Sequence, residues 1–120
     1  MNFFAAIKTC LNKYATFKGR AARSEFWFFV LFNFLAQMVL TAIDAILGFG
    51  LLAGLFTLAM VIPNIAVAAR RLHDTDRSGW WQLLIFLPII GLIILVVWYC
   101  SRGTQGSNRF GDDPLAVPAA

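Results

Sequence analysis

The string Arg70-Arg71-Leu72-His73-Asp74-Thr75-Asp76-Arg77-Ser78-Gly79-Trp80-Trp81 holds the only histidine, three of the ten Lys/Arg and two of the six acids of a 120-residue chain. His73 beside Asp74 and Asp76 supplies the residue types of a general base and an orienting carboxylate. Arg70, Arg71 and Arg77 are suited to a phosphate, because a guanidinium offers a fork of charged donors. Glu25 could join them if it lies on the same side. Such a set would suit an enzyme acting on lipid phosphates. Three points oppose it. Neighbouring residues such as His73 and Asp74 do not orient one another merely by adjacency. A single histidine rules out a two-histidine metal site, and no metal or cofactor is expected. Nucleophile elbow, P-loop and HExxH motifs are all missing from the sequence.

The elements that must position this string are hydrophobic. Apolar residues make up 60% and charged residues 13% of the chain, against about 45–50% and about 25% in soluble domains. One membrane domain spanning residues 1–120 is the expectation. The net charge of +4 flanks apolar runs instead of covering a soluble face, so nucleic acid is not an expected partner. No cleavable signal is evident, because the first apolar run is too long for one.

Residues 2–17 carry Phe3, Phe4, Ile7, Leu11 and Tyr14 at helical spacing. They read as an amphipathic helix lying in the headgroup layer or packed on the rest of the protein. Residues 26–46, 50–68 and 80–100 read as three transmembrane helices. Twenty-one residues reach about 31 Å, enough for the hydrocarbon core. Ser24 is a candidate cap for the first span, and Asp76 or Ser78 for the third. Pro63 frees the Ala59 carbonyl, and Pro88 with Gly91 predicts a bend within the third span. Trp80–Trp81 and Trp98–Tyr99 read as aromatic belts at the two interfaces. Residues 69–79 form the charged loop and 101–120 a polar tail with a disordered end.

Three spans put residues 1–25 and the loop on one side and the tail on the other. The first side then holds eight basic residues and the tail two. The positive-inside rule predicts the N-terminus and loop in the cytoplasm and the C-terminus outside. Cys10 and Cys100 would lie on opposite sides and could not pair.

Asn33, Gln37, Thr41 and Asp44 share one face of the first span, and Gly50, Gly54, Thr57 and Asn64 one face of the second. A short hairpin makes the two helices antiparallel neighbours. Depth counting puts Gln37 near Thr57 and Thr41 near Gly54, with Gly50 and Gly54 allowing close approach. The alternative use of these polar groups is a solute path in an oligomeric transporter or channel component.

The charged string also has structural duties: Arg70 and Arg71 suit a helix C-terminus. Ion pairs from Glu25, Asp74 or Asp76 to the arginines would tie the helix ends together. Read from the residues, the chain is a non-enzymatic membrane protein whose loop contacts lipid headgroups or a partner. The expected partners are membrane lipids, above all anionic ones, and a second copy of the chain.

FKGRAARSEFWFF at 17–29, ARRLHDTDRSGWWQLL at 69–84, Pro88, Gly91 and GSNRFGDDP at 106–114 follow one another in that order. In this the chain resembles the domain-of-unknown-function-805 family of small bacterial inner-membrane proteins, over about residues 10–114. The resemblance implies the bacterial cytoplasmic membrane and no known activity. The family usually carries glycine where this chain has Asp76.

Overall fold

A computed structural model describes residues 2–48 and 50–114. Phe49 of the expected turn and the tail end 115–120 lie outside the described residues. Asn2 opens α1 (Phe3–Asn12) by accepting from the Ala5 N–H at 2.7 Å. This helix stops five residues short of the expected boundary at 17. Its small residues Ala6 and Cys10 are buried, and the Phe3 ring meets Phe28 edge-on at 6.1 Å.

α2 (Arg23–Leu47) and α3 (Leu52–Asp74) are the two helices long and apolar enough to cross a membrane. At 1.5 Å per residue they reach about 37 and 34 Å. Ser24 lies inside α2 and does not cap it. Leu31, Phe34, Met38, Val39, Leu55 and Leu58 are among the large side chains they leave exposed. That apolar surface has no cover within the chain, as expected of lipid-facing helices.

Gly48 ends α2 in the left-handed conformation at φ 74°. Across the turn, the Asp44 carboxylate accepts from the Leu52 and Ala53 N–H groups at 3.0 Å each. A carboxylate from one helix thus caps the free amides and positive dipole end of the next. Asn33 and Asn64 exchange side-chain bonds of 3.1 and 3.2 Å. Gln37 donates to the Thr57 hydroxyl. Thr41 is exposed. Gly54 is exposed too, and a Cβ at Gly50 or Gly54 would meet nothing within 4 Å. The glycine pair is therefore not a point of close approach. Gly50 serves the turn, at φ 69°.

Pro63 cannot donate to the Ala59 carbonyl. The Tyr14 hydroxyl donates to that carbonyl instead.

α3 continues to Asp74, six residues past the expected end of the second span. The first five residues of the charged string, 70–74, are thus the last turn and a half of a helix, and the loop shrinks to 75–78. Residues 80–100 do not form one span. A 3-10 helix, Gly79–Phe86, is followed by a break and then by α4 (Ile90–Cys100). Eleven residues reach about 16 Å, too short to cross. The break is a γ-turn. The Ile90 N–H donates to the Pro88 carbonyl at 2.7 Å around Ile89, at φ 65°, a strained conformation for a β-branched residue. A Cβ at Gly91 would overlap the Leu84 carbonyl, so glycine lets the two arms close. Trp81 meets Trp98 edge-on at 5.7 Å. The tryptophans expected at opposite interfaces are neighbours, because residues 79–100 form a hairpin that returns to its starting end.

Two corrections follow. The tail and residues 1–25 lie at the same end of the bundle: Arg23 donates to the Cys100 carbonyl at 3.3 Å, and Arg20 to the Gly106 carbonyl at 2.7 Å. Cys10 and Cys100 share that end as well. The packed core sits just beneath it, with Cys10, Ala21, Phe26, Phe29, Val67 and Ala68 buried against Trp27, Phe32, Met60 and Tyr99.

Candidate functional site

Gly19, at φ 90°, turns the chain so that Arg20 enters the bundle ahead of α2. Glu25 follows in the first turn of α2, where an acid suits the helix dipole. Arg70, Arg71 and Asp74 come from the last turns of α3. All five side chains are buried. They form two groups.

In the first, Asp74 bridges two arginines. Its Oδ1 accepts from Arg20 Nε at 2.9 Å and its Oδ2 from Arg71 Nη1 at 2.6 Å. Arg20 also reaches the tail carbonyls of Gly106 and Gly111, at 2.7 and 3.3 Å. Arg71 donates to the carbonyls of Tyr99, at 3.0 Å, and Ser101, capping α4 with a cation at its negative end. The Thr104 N–H donates to the Asp74 carbonyl at 2.7 Å. A Cβ at Gly103 would overlap the Asp74 carboxylate. Glycine there lets the tail lie directly on the ionic group.

In the second, Arg70 donates to Glu25, and the Cys10 thiol lies 3.6 Å from the same carboxylate oxygen. Nε and Nη2 of Arg70 are buried without a partner. Burial, followed by the Glu25 charge, pushes the Cys10 thiol up to about 12. It is a packing thiol, with almost no thiolate at neutral pH.

The other candidates from the sequence point elsewhere. His73 Nδ1 bonds the Gly19 carbonyl at 2.9 Å, and its ring stacks on Phe110 at 4.0 Å. Asp76 pairs with Arg109 at 3.3 Å on the exposed edge. Arg77 lies 4.3 Å above the Trp98 ring, a cation–π contact that clasps the hairpin. Glu25 and His73 have separate partners: Glu25 accepts from Arg70, and His73 bonds the Gly19 carbonyl. Among the described residues, no three His, Cys, Asp or Glu side chains are grouped to hold a metal.

Arg20 is the central residue that sequence reasoning missed. Its neighbours Lys18 and Arg23 are exposed cations, and composition does not distinguish the buried one among them. A signal was present in the strings at 17–29, 69–84 and 106–114. Arg20, Asp74 and Gly106 each come from one of them, and the three meet in space.

A family model described as a protein of unknown function, DUF805, matches residues 14–112. Inner membrane protein YhaI of Escherichia coli K12 is 50% identical over 106 residues, 87% of this chain and 90% of its own length. Inner membrane protein YhaH of the same strain is 45% identical over 114 residues, 90% of this chain and 94% of its own. Uncharacterized protein YiiR is 27% identical over 128 residues, 85% and 88% of the two chains. No solved structure matches. The chain belongs to the DUF805 family of proteins of unknown function.

Proposed function

We propose that this chain is a non-enzymatic integral protein of the bacterial inner membrane, whose cytoplasmic face is a rigid ionic cap that contacts anionic headgroups or a partner. Its relatives YhaI and YhaH are named inner membrane proteins, and α2 and α3 have the length and apolar surface to cross. The observation that carries the reading is the bridge from Arg20 through Asp74 to Arg71 and the tail. It joins the N-terminal arm, the end of α3 and the tail, and it uses the acids as counter-ions instead of leaving them free for proton transfer.

In this topology α2 and α3 cross, the 79–100 hairpin enters and leaves on the cytoplasmic side, and both termini are cytoplasmic. All ten Lys/Arg fall in residues 8–23 and 70–109, on that side, and the far turn has none. The positive-inside rule favours this arrangement over one that exports the tail with Arg102 and Arg109. Lys8, Lys13, Lys18, Arg23, Arg102 and Arg109 are exposed cations of this cap, each worth about 1 kcal/mol near an anionic surface.

The channel reading draws on one atom: Gln37 Oε1 is buried without a partner. The rest of the stripe favours helix pairing, since Asn33 bonds Asn64 and Gln37 bonds Thr57.

Paired C-terminal fusions test the topology. A green fluorescent reporter should fluoresce and an alkaline phosphatase reporter should be inactive; the reverse pattern overturns it. Flotation of the purified protein with vesicles would test the cap. Retention of added anionic vesicles over zwitterionic ones should fall with salt, and equal retention refutes the headgroup contact.

A further inference from the structure

Below the ionic cap, a cleft of about 380 Å³ opens between α3 and the first turn of the 3-10 helix. Ile65, Ala69 and His73 line one wall at spacings of four, which is a single stripe of α3. Ser78, Gly79 and Trp80 line the other. Gly79 sets the width, since a Cβ there would come within 2.9 Å of the Ala69 Cβ. The stripe runs about 12 Å along α3, from His73 beside the cap to Ile65 among lipid-facing positions. The volume lies in the range of ligand sites, about 300–1,000 Å³.

The polar groups at its upper end are specific. The Gly19 carbonyl can only accept, so in the neutral ring Nδ1 of His73 carries the proton. Nε2 is left as an acceptor, and it faces Gly79 in the cleft wall, 3.6 Å from where a Cβ would sit. Ser78 Oγ accepts from the Trp80 N–H at 3.3 Å, and its own proton has no partner among the described residues. No Lys or Arg lines the cleft. A phosphate head would therefore lose its hydration without gaining a counter-ion. A hydroxyl head would donate to His73 and accept from Ser78. Ile65 and Trp80 are 45% and 79% exposed and would guide an apolar chain outward into the bilayer.

We propose that this cleft binds a neutral membrane amphiphile with a free hydroxyl head, of the diacylglycerol class, its head at His73 and Ser78 and one chain along Ala69 and Ile65. The proposal rests on the membrane reading of α3 but not on the anionic contacts of the cap.

The test is native mass spectrometry of the full chain from detergent micelles. The probes are dioctanoylglycerol, its methyl ether and dioctanoyl phosphatidate. Dioctanoylglycerol should bind one to one. Capping the hydroxyl should weaken binding roughly tenfold, the scale of one unsatisfied buried hydrogen bond. His73→Phe keeps an aromatic ring for Phe110 but removes the acceptor, and Ile65→Trp narrows the lower end from an exposed position. Each should weaken dioctanoylglycerol to a similar degree while the melting temperature stays within a few degrees of the parent. Equal binding of the ether or the phosphatidate, unchanged binding by both variants, or no binding of dioctanoylglycerol overturns the proposal. A failed topology assay with these binding differences intact would reject the two-termini-in arrangement and leave the cleft assignment standing.

Discussion

Replacing Asp74 with Asn should be among the most damaging single-atom-scale changes in this chain. Arg20, Arg70 and Arg71 face Glu25 and Asp74 in the buried cap, so the five side chains sum to +1. Asp74→Asn raises this to +2 without changing the volume. It weakens two charge-assisted bonds, at 2.9 and 2.6 Å, each worth about 1.5–3 kcal/mol. Breaking a buried pair by removing one charge costs about 3–5 kcal/mol. The amide oxygen keeps one acceptor, which places the expected loss near 3 kcal/mol. The exposed Asp76–Arg109 pair is the internal control, and Asp76→Asn should cost under about 1 kcal/mol. Unfolding by SDS titration in mixed micelles measures both. Because Arg20 and the Thr104 N–H hold the tail to this cap, trypsin should also cut after Arg102 and Arg109 faster in Asp74→Asn than in the parent. Equal stability of Asp74→Asn and Asp76→Asn, with unchanged cleavage, would refute the claim that Asp74 is the keystone counter-ion.

Tyr14→Phe should cost about 1 kcal/mol, since it strips the Ala59 carbonyl of its donor. The same substitution should be nearly neutral in a Pro63→Ala background, where residue 63 supplies its own N–H; a double-mutant cycle reads the difference. Asp76 stands at φ 60°, where glycine carries no strain. Asp76→Gly should therefore be neutral or stabilise by up to about 1 kcal/mol despite the lost surface pair, and thermal melts check this. With its pKa raised to about 12, Cys10 should resist maleimide between pH 7 and 9, where ordinary thiols become increasingly ionised, and label only after unfolding. Labelling of a Cys100→Ser variant at the rate of an unfolded control would contradict its burial.

The two long helices were legible because residues 26–69 contain no Lys or Arg and their polar residues fall on matching faces. A turn too short to allow other pairings then set Gln37 near Thr57, where the two side chains bond. The third segment misled for a physical reason. Tryptophans at both ends of a 21-residue apolar run mark two interfaces if the run is straight and one if it folds back. The reversal lies in Pro88, the strained Ile89 and the contact of Gly91 with Leu84, which sequence shows only as a bend. The charged string misled in the opposite sense. Hydropathy ends near residue 69 but the helix does not, because Glu25, Arg20 and the tail carbonyls supply partners from distant parts of the chain. Asp76 itself stands where the backbone is left-handed, a conformation that favours glycine.

The capping of α3 by Asp44 bears on how the protein enters the bilayer. In the proposed topology the tail never leaves the side on which it is synthesised, and only the short far turn and its flanks are translocated. Asp44 is then the one carboxylate that must be carried across, at about 2.5–3.5 kcal/mol if it travels charged and alone at the membrane centre. The Leu52 and Ala53 amides that receive it are among the first residues of the returning helix. The burden is lightest when both helices cross together as a closed hairpin, with the carboxylate already shielded. Insertion and pairing of α2 and α3 are then a single event, and the ionic cap assembles afterwards on a scaffold already in place.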